Sequence, residues 1–358
     1  MAKSNTQTSA PVTFAALEPW LELNILSPEE RKMPGKEWVQ WGTRNRYPHY
    51  VASLAREVPT LRSVIIGATD YTAGDDVACA DRAEMNRRGD TPRDIVRAVA
   101  RNIWKLGGAY VLVTLDRTFS RISEVEVLAS ERIRTDEDQQ GFWYSEKWDK
   151  SGTIDTVFYP RWVPGTQCAQ SVLPIILWGE GAYPEPIYAA ALKACETERA
   201  IADFHLSNIE KGFMGSYIVN FNNGIPSDAI KGEIERDFSD KFGGARNAGR
   251  IMFSWNTSKD AATTMQKMEV ADYGEKYKTL CEYCRQQIFT SFRANPNLFG
   301  IPTEGNGFAN EEYAESFKLY NRTQILPVQR AIVDAFAKLG IMLDIKPFSI
   351  EGGASVEG

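Results

Sequence analysis

Along the first half of the chain the apolar positions change their period twice. From Trp38 to Gly74 the sequence reads "WVQWGTRNRYPHYVASLAREVPTLRSVIIGATDYTAG". A turn at Asn45–Pro48 leads into apolar spacings of three and four residues, and Gly74 closes the segment. In "TPRDIVRAVARNIWKLGG" Thr91 suits an N-cap, Pro92 the first helical position and Asp94 the third. Gly107 and Gly108 stop that helix. Beyond them the period becomes two. "GAYVLVTLD", "SEVEVLAS", "FWYSEKWD" and "TIDTVFYPRW" predict short strands, with turns at Gln140–Gly141 and Lys150–Gly152. Together they form a β-rich module ending near Trp178.

Helical spacing returns after Pro184 and Pro186. "IYAAALKACETERAIADFHLSNIEKG" predicts a helix over 187–211, roughly 40 Å long at 1.5 Å per residue. A mixed region follows to about Val270. Tyr273, Tyr277, Leu280, Cys281, Cys284, Ile288 and Phe292 then mark another helix. The loop "NPNLFGIPTEGNGFAN" (295–310) ends it, and a last helix starts at Glu311 with a kink expected at Pro327. "GIMLDIKPFSI" reads as a strand and "EGGASVEG" as a frayed end. The helices over 92–106 and 187–211 flank the β-rich module, which is therefore expected to project from a helical hairpin. A subunit of that shape has much surface for its core and is expected to pack against copies of itself.

Charge narrows the partners. Across 358 residues the formal net charge is −6, which argues against gripping nucleic acid with the whole surface. A local basic strip remains open. The five cysteines, Cys79, Cys168, Cys195, Cys281 and Cys284, have no framework spacing and fit a reduced, intracellular protein. Cys281-x-x-Cys284 lacks a second pair, so a core role outweighs a metal or redox one. With only His49 and His205, histidine chemistry is poorly supplied. No run approaches the ~18 apolar residues of a membrane span. "MAKSNTQTSAPVTF" lacks the apolar core of a signal peptide, and residues 1–30 are expected to form a flexible arm.

Four stretches invite chemical readings. "KFGGARNAGR" (241–250) has the Gly244-to-Gly249 gap of a phosphate loop, but Arg250 and Ile251 stand where Lys and Ser/Thr are required. A dinucleotide fingerprint needs a strand before and a helix after, and here the order is reversed. The glycines are expected to serve a turn. Asp344-Ile345-Lys346 mimics half of a metal-dependent nuclease core without an upstream carboxylate partner. Arg93, Arg97, Arg101 and Lys105 recur every four residues, a basic stripe opposite Ile95, Val99, Ile103 and Leu106. By the same arithmetic Trp104 falls among the basic residues and needs something to cover it. The loop 295–310 is long for a plain connection and is expected to be functional and mobile.

Taken in order, several segments resemble the portal proteins of tailed bacteriophages, of the compact phage and prophage type. The "NRYPHYVASLAREVPTLRSVIIGATDYTAGDDV" stretch is similar to the family's early N-x-Y-P segment, and "YAAALKACETERAIADFHLSNIEKGFMGSYIV" to its long helix and exit. "KFGGARNAGRIMF" resembles its G-x-x-N-A-G element, with Gly244, Asn247, Ala248 and Gly249 on the matching positions. "IFTSFRANPNLFGIPTEGNGFANEEYAESFKLYNRTQILPVQRAI" is similar to its closing stretch. The matches span roughly residues 40 to 340.

The resemblance implies an α+β portal fold assembled as a ring of twelve at a capsid vertex, passing double-stranded DNA during packaging and ejection. Carried over in sequence order, it implies wing over 31–90 and 213–293, stem helices over 91–107 and 186–212, and a clip over 108–185. It further implies a tunnel loop over 294–310 and a tunnel or crown helix with a C-terminal strand over 311–358. With so little chain after Pro327, the crown is expected to be small or absent. Asn295, Asn297, Thr303, Glu304 and Asn306 would face DNA. Arg93, Arg97, Arg101 and Lys105 would line the stem, and Gly244, Asn247, Ala248 and Gly249 would make a wing turn. The implied partners are further copies of the chain, DNA, the terminase large subunit, capsid and scaffolding proteins, and neck adaptors. The implied location is the virion, after assembly in the host cytoplasm. No membrane, cofactor, metal or catalytic residue is expected. Another head–tail connector component, or a metal-dependent nuclease, is the alternative.

Overall fold

The computed structural model describes residues 28–148, 154–210, 217–221, 227, 230–231, 251–255, 273–301 and 310–349. Two short antiparallel strands, β1 (Glu30–Lys32) and β2 (Val39–Trp41), lead into α1 (Tyr47–Glu57) and α2 (Pro59–Ala73). The single apolar rhythm of this region is two helices because of Pro59. Its ring drives Val58 into extended backbone, φ −88° and ψ 112°, which ends one helix and starts the next. β3 (Asp76–Cys79) and α3 (Pro92–Leu106) follow.

The capping signature read from sequence is present. The Thr91 hydroxyl accepts from the Asp94 amide at 3.2 Å, and the Asp94 carboxylate accepts from the Thr91 amide at 2.9 Å. Gly107 ends α3 at φ +89°, where a Cβ would lie 2.1 Å from the Glu185 carbonyl oxygen. Only glycine fits there.

Six strands come next: β4 (Gly108–Leu115), β5 (Ile122–Leu128), β6 (Ile133–Thr135), β7 (Gly141–Tyr144), β8 (Val157–Pro160) and β9 (Gln170–Ile176). They form two antiparallel sheets, ordered β5-β4-β9 and β6-β7-β8. Strand alternation in β4 explains how they stack. Ala109, Val111 and Val113 join the main core with α3, while Tyr110, Leu112 and Val172 of the neighbouring β9 meet Ile133 and Phe142 of the second sheet. The result is a layer of helices, a sheet, and a second sheet. None of the described sheets closes into a barrel.

The expectation that the β-rich module projects from a hairpin of 92–106 and 187–211 is therefore corrected. β4 is buried on both faces, and α3 is a central helix with Ile95, Val96, Val99, Ala100, Ile103, Trp104 and Leu106 all buried. The second long helix, α4 (Leu192–Glu210), begins five residues later than expected, after a 3₁₀ turn at Ala189–Ala191. It packs along α5 (Tyr273–Ser291), not along α3. Between α4 and α5, β10 (Tyr217–Phe221) and β11 (Ile251–Trp255) pair in parallel.

The last helical run is α6 (Asn310–Tyr320), a π turn over Asn321–Ile325, and α7 (Leu326–Lys338). The break falls where Pro327 required one, since its ring excludes the carbonyl four residues back. α7 returns to the core, and Gln329 Nε2 donates to the Thr72 carbonyl at 2.9 Å. β12 (Leu343–Lys346) pairs antiparallel with β3.

Candidate assembly surfaces and DNA-facing loop

α4 and α5 leave the body as an antiparallel pair whose burial fades along its length. Near the body, Leu192 and Cys195 of α4 join the core with Ile288 and Phe289 of α5 and Phe292 just past its end, and Glu196, Ile201 and Cys284 are buried as well. The Tyr188 ring stacks on Phe292 at 5.0 Å between centroids. Further along, Leu206 is 55% and Leu280 38% exposed, and Tyr283, on the outer side of α5 beside buried Cys284, is 55% exposed. Phe204 and His205 of α4 meet Tyr277 of α5 there, with ring centroids 5.3 and 5.1 Å apart. Nineteen residues at 1.5 Å each give α4 a length of about 28 Å.

A polar cluster fixes the angle at which the pair departs. Glu198 accepts from the Thr60 amide at 3.3 Å and its hydroxyl at 2.9 Å, at the start of α2. Arg199 bridges Glu57 of α1 at 3.3 Å and Glu196 at 2.5 Å. Burial raises the Cys195 thiol far above its ordinary range and pushes Cys284 up to about 11, so both are protonated packing groups.

The described half of the loop after α5 is folded. Asn295 caps a 3₁₀ turn, Pro296–Phe299, by accepting from the Asn297 amide at 3.1 Å, and its Nδ2 donates to Ser316 Oγ at 3.4 Å. Tyr71 donates its hydroxyl hydrogen to the Leu298 carbonyl. Around Tyr71 stand Phe299, Phe317, Tyr320 and Phe348, with centroids 4.9–6.5 Å away. This aromatic cluster ties the loop base to α2, α6 and the end of the chain. Asn295 and Asn297 thus serve the loop's own turn, while Thr303, Glu304 and Asn306 lie outside the described residues. So do Gly244, Asn247, Ala248 and Gly249.

Most of the basic stripe is engaged within the chain. Arg93 donates to the Gly74 carbonyl at 3.2 Å, Arg97 pairs with Asp70 at 2.6 Å, and Lys105 pairs with Glu131 at 2.7 Å. Arg101 is exposed, with no partner among the described residues. The reading of Trp104 as an indole needing cover from outside is corrected. It is fully buried, and its Nε1 donates to Thr72 Oγ1 at 2.9 Å, because α2 lies over that side of α3.

Sequence reasoning missed Arg134. This side chain is wholly buried and stacked between Trp41 and Trp148, with its guanidinium carbon 5.7 and 4.7 Å from the two rings. It donates to the Asn45 side chain, to the Asn45 carbonyl at 2.8 Å, to Glu131 O at 2.9 Å and to Ile133 O at 2.6 Å. Burial pushes it down to about 10, so it stays charged at neutral pH. Asn45 reaches it from a left-handed backbone conformation, φ +63°, which asparagine tolerates better than most residues. The N-x-Y-P segment is thereby the clamp on a buried cation.

Among the described residues no three His, Cys, Asp or Glu side chains gather where they could hold a metal ion, and no helix is long and apolar enough to cross a membrane. Asp344 and Lys346 sit on β12, at the sheet edge beside β3.

No protein-family model matches the sequence, and no curated protein matches it. Solved structures do. A chain in the virion of the native gene transfer agent particle is 18% identical, with a TM-score of 0.52 over 83% of both chains. A chain in the neck of the native particle, computed with C12 symmetry, is also 18% identical, with TM-score 0.52 over 85% of both. A crystal structure of an HK97-family phage portal protein from Corynebacterium diphtheriae aligns at 12% identity and TM-score 0.49, over 83% of this chain and 95% of that one. The chain shares the fold of the gene transfer agent component across most of its length.

Proposed function

We propose that this chain is the subunit of a portal ring, which joins head to neck in a phage-like particle and passes double-stranded DNA. The observation that carries this is the α4–α5 pair, long antiparallel helices whose burial falls away from the body and which leave Leu206, Leu280 and Tyr283 exposed. The fold shared with a component seen in a twelvefold-symmetric particle neck supports it, as do the portal-like segments in the sequence.

In this reading the stem is α4 with α5, and the intervening residues 211–272, with β10 and β11, are the clip. This reading keeps a stem helix within 186–212 but moves the other away from 91–107 and the clip away from 108–185, because α3 and β4 are buried in the core. The body forms the wing, and the loop over 294–310 faces the channel. Among the described residues β10 and β11 pair only with each other, and neighbouring copies would support so small a sheet. The chain works without catalysis of its own. The terminase large subunit drives DNA through the ring, capsid and scaffolding proteins hold it at the vertex, and neck adaptors dock on the clip.

Leu206→Asp with Tyr283→Asp tests this directly, because both positions are exposed and folding should survive. Charged groups buried between copies cost several kcal/mol each. Size-exclusion chromatography with light scattering is expected to show monomers where the wild-type chain forms rings. Rings of unchanged size in the double variant would remove the α4–α5 pair from the interface.

A further inference from the structure

A small cavity of about 200 Å³ opens between β1, β2, the start of α1 and the segment 179–185 that follows β9. Trp41, Tyr47 and Tyr183 wall it, and Glu30, Glu180 and Glu185 stand around it. The wall is fixed in place. The Trp41 and Tyr183 rings stack with centroids 4.3 Å apart, and Glu30 accepts from the Ala182 and Tyr183 amides at 2.9 and 3.0 Å. Three polar groups are left over. The Tyr47 side chain is only 1% exposed, yet its hydroxyl has no hydrogen-bond partner. Burial and the neighbouring Glu185 charge both raise its pKa, so the phenol keeps its proton beside that carboxylate. Glu185 and Glu180 are themselves exposed, with no ion pair among the described residues. A buried hydroxyl without a partner is costly, and its place on the cavity wall points to a group that arrives from outside.

The opposite charge sits at the far end of one strand. The cavity lies against the start of β4, where a Cβ on Gly108 would be 3.1 Å from Pro184. From there β4 runs eight residues, roughly 25 Å, and turns into β5 through "DRTFSR" over 116–121. Asp116 holds this tip in one shape, its carboxylate accepting from the Thr118 and Ser120 amides at 3.1 and 3.0 Å. Phe119 is kept there at φ +54°, a left-handed conformation that is rare for a bulky residue, and its ring is 43% exposed. Arg117 and Arg121 flank it, both exposed and without an ion pair among the described residues.

Size and chemistry match the two ends to each other. The cavity is smaller than the roughly 300–1,000 Å³ of a small-molecule site and suits one extended side chain. Its carboxylates do not gather as metal ligands. A planar guanidinium with five donors can meet two separated carboxylates and a phenol oxygen at once. The tip cannot reach the cavity of its own chain, because β4 is a buried central strand that holds the two apart. The partner is therefore a second copy.

We propose that the 116–121 tip of one subunit docks into this cavity on the next, an arginine entering between Glu180, Glu185 and the Tyr47 hydroxyl while Phe119 covers the rim. Such a head-to-tail contact closes into a ring when the rotation between copies allows it. The proposal rests on the ring reading above and adds a second contact to the one made by α4 and α5. Charge reversal in the full-length chain, read by native mass spectrometry, tests it. Arg117→Glu with Arg121→Glu, or Glu180→Arg with Glu185→Arg, puts like charges at every contact and should weaken assembly about a hundredfold. Mixing the two double variants one to one should restore it, because each tip then meets a cavity of opposite charge. The two chains are expected in equal numbers in the restored assembly, which also shows that both are folded. Rings from the wild-type chain together with undiminished rings from either variant alone would overturn this contact and leave the ring reading standing. No recovery in the mixture would overturn it as well. Unchanged assembly with weaker retention of duplex DNA by the arginine variant would give the tip to DNA instead. A wild-type chain that stays monomeric with capsid and scaffolding proteins supplied would overturn the ring reading and this contact with it.

Discussion

At the scale of single residues, Arg134 carries the heaviest load for its size. Its donors meet four acceptors in a site closed by two tryptophans, so no water can replace a lost partner. Arg134→Ala is expected to cost on the order of 3–5 kcal/mol, and Arg134→Lys to recover only part of it, because an ammonium lacks the planar fork. Thermal unfolding should show this as a fall of roughly 10 °C, and an unchanged Tm would contradict the clamp. Glu131 offers a pH signature. Burial raises its carboxyl, but the Lys105 ammonium 2.7 Å away more than offsets this, and the net shift is downward. A lowered carboxyl stabilises the fold above its unfolded pKa, about 4.3, and loses that contribution as pH falls through the folded value. Glu131→Gln should therefore flatten the acid limb of a stability–pH curve, and an identical limb would remove the pair from the account. The Thr91–Asp94 cap and Arg134 differ in how legible they were. Thr91 and Asp94 were readable as a cap because they lie three residues apart. Arg134 meets Asn45 across 89 positions, and nothing local in "ERIRTDE" announces it.

Among the elements, those with a strong local signal formed where the pattern put them. α3, β4, β5, α5 and β12 match their expected stretches because capping, alternation and glycine stops act within a few residues. Which face each element buries was less accessible. The basic side of α3 was expected to look outward, yet α2 covers Trp104 and takes Arg97 onto Asp70. Periodicity fixes a stripe, and only the neighbouring helix decides what the stripe meets. Pairing α4 with α5 was equally hidden, since both helices carry apolar residues along their length and the loss of burial toward one end is a tertiary fact. The packing of α2 yields its own prediction. Gly67 sits inside this helix, and a Cβ there would lie 2.6 Å from the Phe299 ring that anchors the loop base. Gly67→Ala should raise helix propensity by up to about 1 kcal/mol yet lower stability, because the ring must move. Hydrogen exchange at Leu298–Gly300 is expected to speed up in this variant. A more stable protein with unchanged exchange would show that the ring is not needed there.

At the scale of the whole molecule, the layered body is a complete core in its own right, and the α4–α5 pair is what it lacks reason to keep exposed. A helix pair that leaves Leu206, Leu280 and Tyr283 exposed is costly for a lone subunit, and in a ring neighbouring copies would cover it. The segment order of the sequence was enough to suggest a ring channel, but it could not tell that the helix over 92–106 is a core helix. The most direct measurement is native mass spectrometry of the purified full-length protein, with electron micrographs of the same sample. The account predicts a closed ring of about twelve copies, its hole wide enough for duplex DNA and the α4–α5 pairs packed side by side. A chain that stays monomeric when capsid and scaffolding proteins are supplied, or a ring built through the β-sheet body with α4 and α5 pointing free into solvent, would contradict it.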